Sequence, residues 1–382
     1  MNFILQLTTK TYFGTHIVRE ALEQEKRWLG NKVLIVAGGR SLKKHGYLDE
    51  LVKITEDMVG RDNVVVFDGI CPNPRLDQVK QAVLLGRRQG ADCVIGFGGG
   101  SALDAAKAVA TGISAKEELE EYLLRGKEPS EKTLPIIAIP TTAGTGSELS
   151  KAAIISSPMH HIKAGIRGEN ILPKVAIVDA VYTWTVPIHV TMETGFDVLA
   201  HAIESYVAVK SNRFSEMLSE KAVQLAGENL QRLSRDLNDH DARENMCYAS
   251  MIMGINLANV GTCLPHRMQY VVGAATDTSH AAGLIALYPA WVGHEYNVNE
   301  SKMKKVMSLL GKKVPDTSEQ ARAELKAFLD KIGAYRTLKA LGIRTEMLKE
   351  LTAQITGNLA NDLLAGQSGI ITQIFQESME EE

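Results

Sequence analysis

The sequence predicts an α/β half followed by an all-α half. Three observations carry this reading. Short apolar strands alternate with helical stretches as far as residue 179, helix-like spacing takes over after Pro187, and two strands of the first half run straight into loops of glycine, threonine and serine. A chain of 382 residues can bury a large core and is expected to divide, here into residues 1–183 and 184–382.

Composition narrows the function classes. A hydrophobic share of 45% and a net charge of −3 describe an ordinary folded enzyme, not a disordered chain. No long basic run is present, so nucleic acid is not an expected partner. The opening MNFILQLTTKTYFG has no basic leader and is too short to span a membrane, which leads us to expect neither secretion nor membrane insertion. Cys71, Cys93, Cys247 and Cys263 lack framework spacing, which suits reduced thiols in the cytoplasm.

In the first half, residues 15–29 read as a helix with Ile17, Ala21 and Leu22 on its apolar face, and 31–39 as a buried strand ending in glycines. Residues 41–55 read as a helix entered through Ser41 and interrupted or bent near Gly46. A valine-rich strand at 63–67, a turn at 71–74, a helix from Arg75 and a strand at 92–100 follow, as a largely parallel sheet requires. At 98–107 the chain reads GGGSALDAAK. Glycines that lack Cβ atoms let backbone N–H groups cradle a pyrophosphate at the helix N-terminus, with Asp104 and Lys107 one turn in. This is not the G-x-G-x-x-G fingerprint, and the acid that usually follows it is missing at the expected spacing. Residues 134–150 repeat the arrangement, offering Thr141, Thr142, Thr145, Gly146 and Ser147 to phosphate, ribose or amide oxygens. Two such loops suit a dinucleotide better than a lone phosphate. Strands are also predicted at 152–157 and 174–179. The polar segment between them holds Lys163 and two histidines read as surface residues, His160 and His161.

The second half is read as helices at 190–208, 211–235, 241–260, 280–292, 300–310, 317–333, 345–356 and 370–379. Asp197 and His201 stand four apart on one helix face. His266 and His280 each stand at an apparent helix start. One carboxylate and three imidazoles suit a divalent iron or zinc ion. Helices also carry such pairs for solubility, so a helical domain with incidental histidines is the alternative at this point. Cys263-x-x-His266 is a second ligand reading, and we take Cys263 instead as a buried neighbour. The phosphate loops lie in one half and the metal set in the other, so the active site is expected in a cleft between them.

The chain resembles the iron-containing alcohol dehydrogenase family over essentially its whole length. TYFG (11–14), PNP (72–74), GGGSALDAAK (98–107), PTTAGTGSE (140–148) and Asp197-x-x-x-His201 with His266 and His280 carry the likeness together. The resemblance implies a Rossmann-like dinucleotide domain and an all-helical metal domain, of the dehydroquinate-synthase-like superfamily. It implies a homodimer that interconverts an alcohol and its aldehyde with NADP or NAD, using Fe²⁺ or Zn²⁺ as a Lewis acid. Carried over, Asp197, His201, His266 and His280 hold the ion, while Gly99, Gly100, Ser101, Asp104, Thr141, Thr142 and Thr145 bind the dinucleotide. Asn73 and Lys163 are further carry-overs to the cofactor region. Many members have a second histidine four residues after the third ligand. This chain has Tyr270 there, which becomes the candidate for the proton path.

The likeness is closest to the butanol-dehydrogenase-like, NADP-preferring aldehyde reductase branch. The turn Gly38-Gly39-Arg40-Ser41 supports the same expectation. It holds no acid to repel a 2′-phosphate, and it offers a guanidinium, a hydroxyl and the nearby Lys43 and Lys44. Arg267 beside His266 keeps an anionic aldehyde, or a glycerol-phosphate dehydrogenase-like role, as the alternative. A lyase of the same superfamily would not need the full dehydrogenase pattern. A non-catalytic nucleotide sensor is expected to have lost a ligand, and this chain keeps all four.

Overall fold

In the computed structural model, which describes residues 3–160 and 162–379, the chain divides into two compact units, Gln6–Val186 and Pro187–Glu382 with Met1–Leu5. The first is built on β1 (Lys10–Gly14), β2 (Val33–Gly38), β3 (Val64–Ile70), β4 (Cys93–Gly98), β5 (Ile136–Pro140) and β8 (Val175–Asp179). These six form one sheet in the order β1-β8-β5-β4-β2-β3, every pair parallel. A parallel sheet needs cover on both faces, and the period-two alternation of the strands supplies two apolar faces. Leu34, Val36, Val94 and Ile136 face α4 (Leu76–Gln89) and α5 (Gly100–Ser114). Val33, Ile35, Ile95 and Ile137 pack with residues of α1 (Val18–Gln24) and α3 (Tyr47–Val59). The strands β6 (Ala152–Ser157) and β7 (Ile162–Arg167) form a separate antiparallel hairpin that shares the first of these cores.

One local reading is sharpened and others change. Residues 40–59 form two helices, α2 (Arg40–Lys44) and α3, because Gly46 takes the left-handed φ of 76° that ends the first. Residues 10–14 and 162–167, read from sequence without regular structure, are strands. Their residues are mostly half-buried, so the apolar signal is weak. The short helix α6 (Leu119–Leu123) completes this unit.

The second unit is helical: α7 (Ile188–Val207), α8 (Arg213–Leu233), α9 (His240–Asn259), α10 (Leu264–Thr276), α11 (His280–Val298), α12 (Glu300–Leu309), α13 (Ser318–Lys331), α14 (Leu348–Gln354) and α15 (Ile370–Glu377). Helix α7 is central, packing on α8, α9 and α11, and from Gly195 to Val207 every residue is buried. Pro265 opens α10, where a missing N–H costs nothing, and Asp277 in a left-handed conformation closes it. No single helix among the described residues is long and apolar enough to cross a membrane.

Candidate active site

The buried polar residues of α7 begin the metal centre. Asp197 and His201, one turn apart, are almost fully buried, as is His266 near the start of α10. His280, the first residue of α11, keeps 27% of its side chain exposed. The Nε2 atoms of His266, His201 and His280 lie 3.5, 3.7 and 3.8 Å from Asp197 Oδ1. These separations are long for hydrogen bonds, and Asp197 Oδ1 is buried with no hydrogen-bond partner. Four ligands held at about 2.0–2.2 Å from one ion lie roughly 3.3–3.6 Å from one another in a tetrahedral set. The ligand atoms of Asp197, His201 and His266 all lie within 4.8 Å of one another and fit a divalent cation that satisfies the orphaned carboxylate oxygen, with the partly exposed His280 beside this triad. The Nε2 atoms of His201 and His266 approach to 2.9 Å, which requires a proton or a cation between two lone pairs. Burial alone would raise the Asp197 carboxyl. The surrounding imidazoles, His201 foremost, hold it well below the ordinary carboxylate range.

Sequence reasoning missed the residues that orient these ligands. Glu204 is fully buried and accepts from His266 Nδ1 at 2.6 Å, leaving His266 Nε2 turned toward Asp197. Its second oxygen accepts from Cys263 N at 2.7 Å, while Asp362 accepts from Leu264 N at 2.9 Å and Trp291 Nε1 at 3.1 Å. Two carboxylates thus tie down the first N–H groups of α10 and with them the approach of His266. Glu204 lies three residues after His201 and seven after Asp197, a face spacing that could have revealed it. Cys263 is buried, its Sγ donates to Glu204 O at 3.4 Å, and burial pushes its thiol pKa well up. The ring of Tyr270 lies 5.9 Å from that of His280, with the Arg267 guanidinium 5.5 Å above it.

The first unit brings the predicted cofactor residues to adjoining strand ends. Gly38 ends β2 and Gly39 to Ser41 follow it, Gly99 to Ser101 follow β4 and Thr141 to Thr145 follow β5, three strands that are neighbours in the sheet. The crevice beyond the carboxyl ends of such strands is where this fold class takes a dinucleotide. Helix α5 begins at Gly100 with Gly99 as its side-chain-free cap, leaving backbone N–H groups for an anion. A Cβ on Gly100 would stand 2.5 Å from Thr145 Cγ2, so the two loops touch only because this residue is glycine. Asp104 has both oxygens engaged within the protein, by Ser147 Oγ at 2.5 Å and Ile154 N at 2.9 Å. Lys107 is fully buried, donating to Ser147 Oγ, Ser150 Oγ and Ala152 O. Together they staple the second loop and β6 to α5. Lys163 donates to Asn73 Oδ1 at 2.8 Å, which joins those two candidates. His160 is exposed and bonded to Ser157, and His161 lies outside the described residues.

A parallel doubly covered sheet with two phosphate-suited loops, and a helical unit with a buried Asp/His cluster, define a metal-dependent oxidoreductase linked to a nicotinamide nucleotide. Residues 8–180 match the iron-containing alcohol dehydrogenase family, and 191–377 match the C-terminal region of the Fe-containing alcohol dehydrogenase family. The chain belongs to the iron-containing alcohol dehydrogenase family. It is 29% identical to NADH-dependent butanol dehydrogenase A of Clostridium acetobutylicum, over 99% of this chain and 100% of that protein. It is 32% identical to long-chain-alcohol dehydrogenase 1 of Geobacillus thermodenitrificans, over 88% and 87%. An archaeal halo-thermophilic alcohol dehydrogenase from a Red Sea brine pool superposes with a TM-score of 0.91, at 27% identity and 99% coverage of both chains.

These likenesses overturn one expectation, the placement in an NADP-preferring branch. Butanol dehydrogenases A and B of Clostridium acetobutylicum, which it resembles, are NADH-dependent. The turn after β2 is also less cationic than its sequence suggests. Asp68, near the end of the neighbouring β3, forms an ion pair with Lys43.

Proposed function

We propose that the protein interconverts a small primary alcohol and its aldehyde with NAD(H), using a divalent ion held by Asp197, His201, His266 and His280. The observation that carries this reading is the buried, unpartnered Asp197 Oδ1 facing three imidazole Nε2 atoms. Three nitrogens and one oxygen suit iron(II) and zinc alike. A bound ion supplies Lewis acidity toward the carbonyl oxygen, and the nicotinamide supplies the hydride.

The chain's own residues do the rest. Glu204 holds His266 in the tautomer that offers Nε2 inward. The loops after β4 and β5 seat the pyrophosphate and ribose on backbone N–H groups and threonine hydroxyls. Tyr270, beside His280, holds the hydroxyl that passes a proton to the product oxygen. The test is oxidation of NADH by metal-loaded protein on addition of butanal. NADH is expected to give the larger kcat/KM against NADPH, Asp197→Ala to abolish turnover, and Tyr270→Phe to lower kcat about ten- to hundredfold. Turnover unchanged in Asp197→Ala would defeat the metal reading, and an unchanged Tyr270→Phe would remove the tyrosine from the proton path.

A further inference from the structure

Gln269 follows His266 by three residues on α10 and is fully buried. Its Oε1 forms a short hydrogen bond with His280 Nδ1. A carbonyl oxygen can only accept, so Nδ1 carries the proton and His280 Nε2 keeps its lone pair, 3.8 Å from Asp197 Oδ1. Turning the amide over would aim an N–H at Nδ1 and force the proton onto Nε2, closing that nitrogen to a cation. The amide Nε2 of Gln269 is buried with no hydrogen-bond partner among the described residues. Space for the side chain comes from Gly283, one turn along α11 from His280. A Cβ there would lie 2.8 Å from Gln269 Cγ and 3.3 Å from its Nε2. A buried N–H without an acceptor is costly, and an apolar side chain would fill the space without it. Packing alone therefore does not account for a glutamine here.

We infer that Gln269 is a positioning residue that fixes the tautomer and ring orientation of His280, so that His280 Nε2 joins the metal ligands. The inference rests on the metal site proposed above. His266 receives the same support from the carboxylate of Glu204, and His280 receives it from a neutral amide. An amide is a weaker acceptor than a carboxylate, so the ring of His280 is held less firmly than that of His266.

The experiment is cobalt(II) affinity, by competition with a chelating indicator, for wild type, Gln269→Met, Gln269→Glu and Asp197→Ala, with the visible cobalt spectrum of each. Gln269→Met keeps length and volume but removes the acceptor, and is expected to weaken binding about 10- to 100-fold and to change the spectrum as one imidazole is lost. Gln269→Glu retains an acceptor and is expected to restore wild-type affinity or better. Wild-type affinity and spectrum in Gln269→Met would overturn the inference. So would equal weakening in both variants, which would mark a packing role only. Equal affinity in wild type and Asp197→Ala would instead overturn the metal site itself.

Discussion

Two buried carboxylates govern His266, Glu204 first. Burial alone would depress the imidazole pKa, but Glu204 and Asp197 push it up to about 10 from an ordinary 6.5 when no ion is bound. The folded value lies above the unfolded one. The stabilisation from this proton is therefore complete below pH 6.5 and is lost as pH rises through about 10. A metal ion takes the lone pair that the proton holds, so binding releases a proton across the same window. Metal-free protein is expected to lose Tm between about pH 7 and 10 while apparent metal affinity rises, with both trends flattened in Glu204→Gln. Zinc affinity measured across that window checks it, and a pH-independent Kd would refute it. At this scale Asp197 and His201 were legible, since four-residue spacing puts them on one face. Glu204 shares that face, but a carboxylate on a helix also reads as a solubilising charge. Gln269 left no signal, because its role depends on a partner eleven residues away across a turn.

At the scale of elements, strands buried on both faces announced themselves as apolar runs, which is why β2, β4, β5 and β8 were legible. The strands β1 and β7 were not, because KTYFG and IKAGIR bury only part of their side chains. The loops after β4 and β5 were readable as anion cradles, but their mutual contact was not. That contact yields a prediction. Alanine favours a helix over glycine by up to about 1 kcal/mol, so propensity alone makes Gly100→Ala neutral or stabilising. Its Cβ would instead press on Thr145, 2.5 Å from Cγ2 and 2.6 Å from Oγ1, and displace the second loop. NADH affinity is expected to fall about tenfold or more, roughly 1.4 kcal/mol, with Tm nearly unchanged. Titration calorimetry of NADH decides it. An unchanged Kd would show that the Thr145 loop takes no part in binding.

For the whole molecule, the α/β-then-α division was legible because apolar strands cease before Pro187 and only helical spacing continues after it. The pairing of Lys43 was not, because Asp68, 27 residues beyond Ser41 in sequence, meets it only through the pairing of β3 with β2. Two units, each with its own core and its own ligand chemistry, need not unfold as one. A ligand present at a hundredfold over its Kd stabilises whatever must open to release it by about 2.7 kcal/mol, close to a hundredfold in an opening equilibrium. Zinc at that excess is expected to slow amide exchange in peptides from α7, α10 and the start of α11, which carry the four proposed ligands. NADH at the same excess is expected to slow exchange around residues 98–104 and 141–150, where the loops and their Lys107 staple lie. Peptide-resolved hydrogen exchange reads both in one experiment. Zinc protection confined to Gln6–Val186, or NADH protection that spares both glycine- and threonine-rich loops, would show that the ligands had been assigned to the wrong elements.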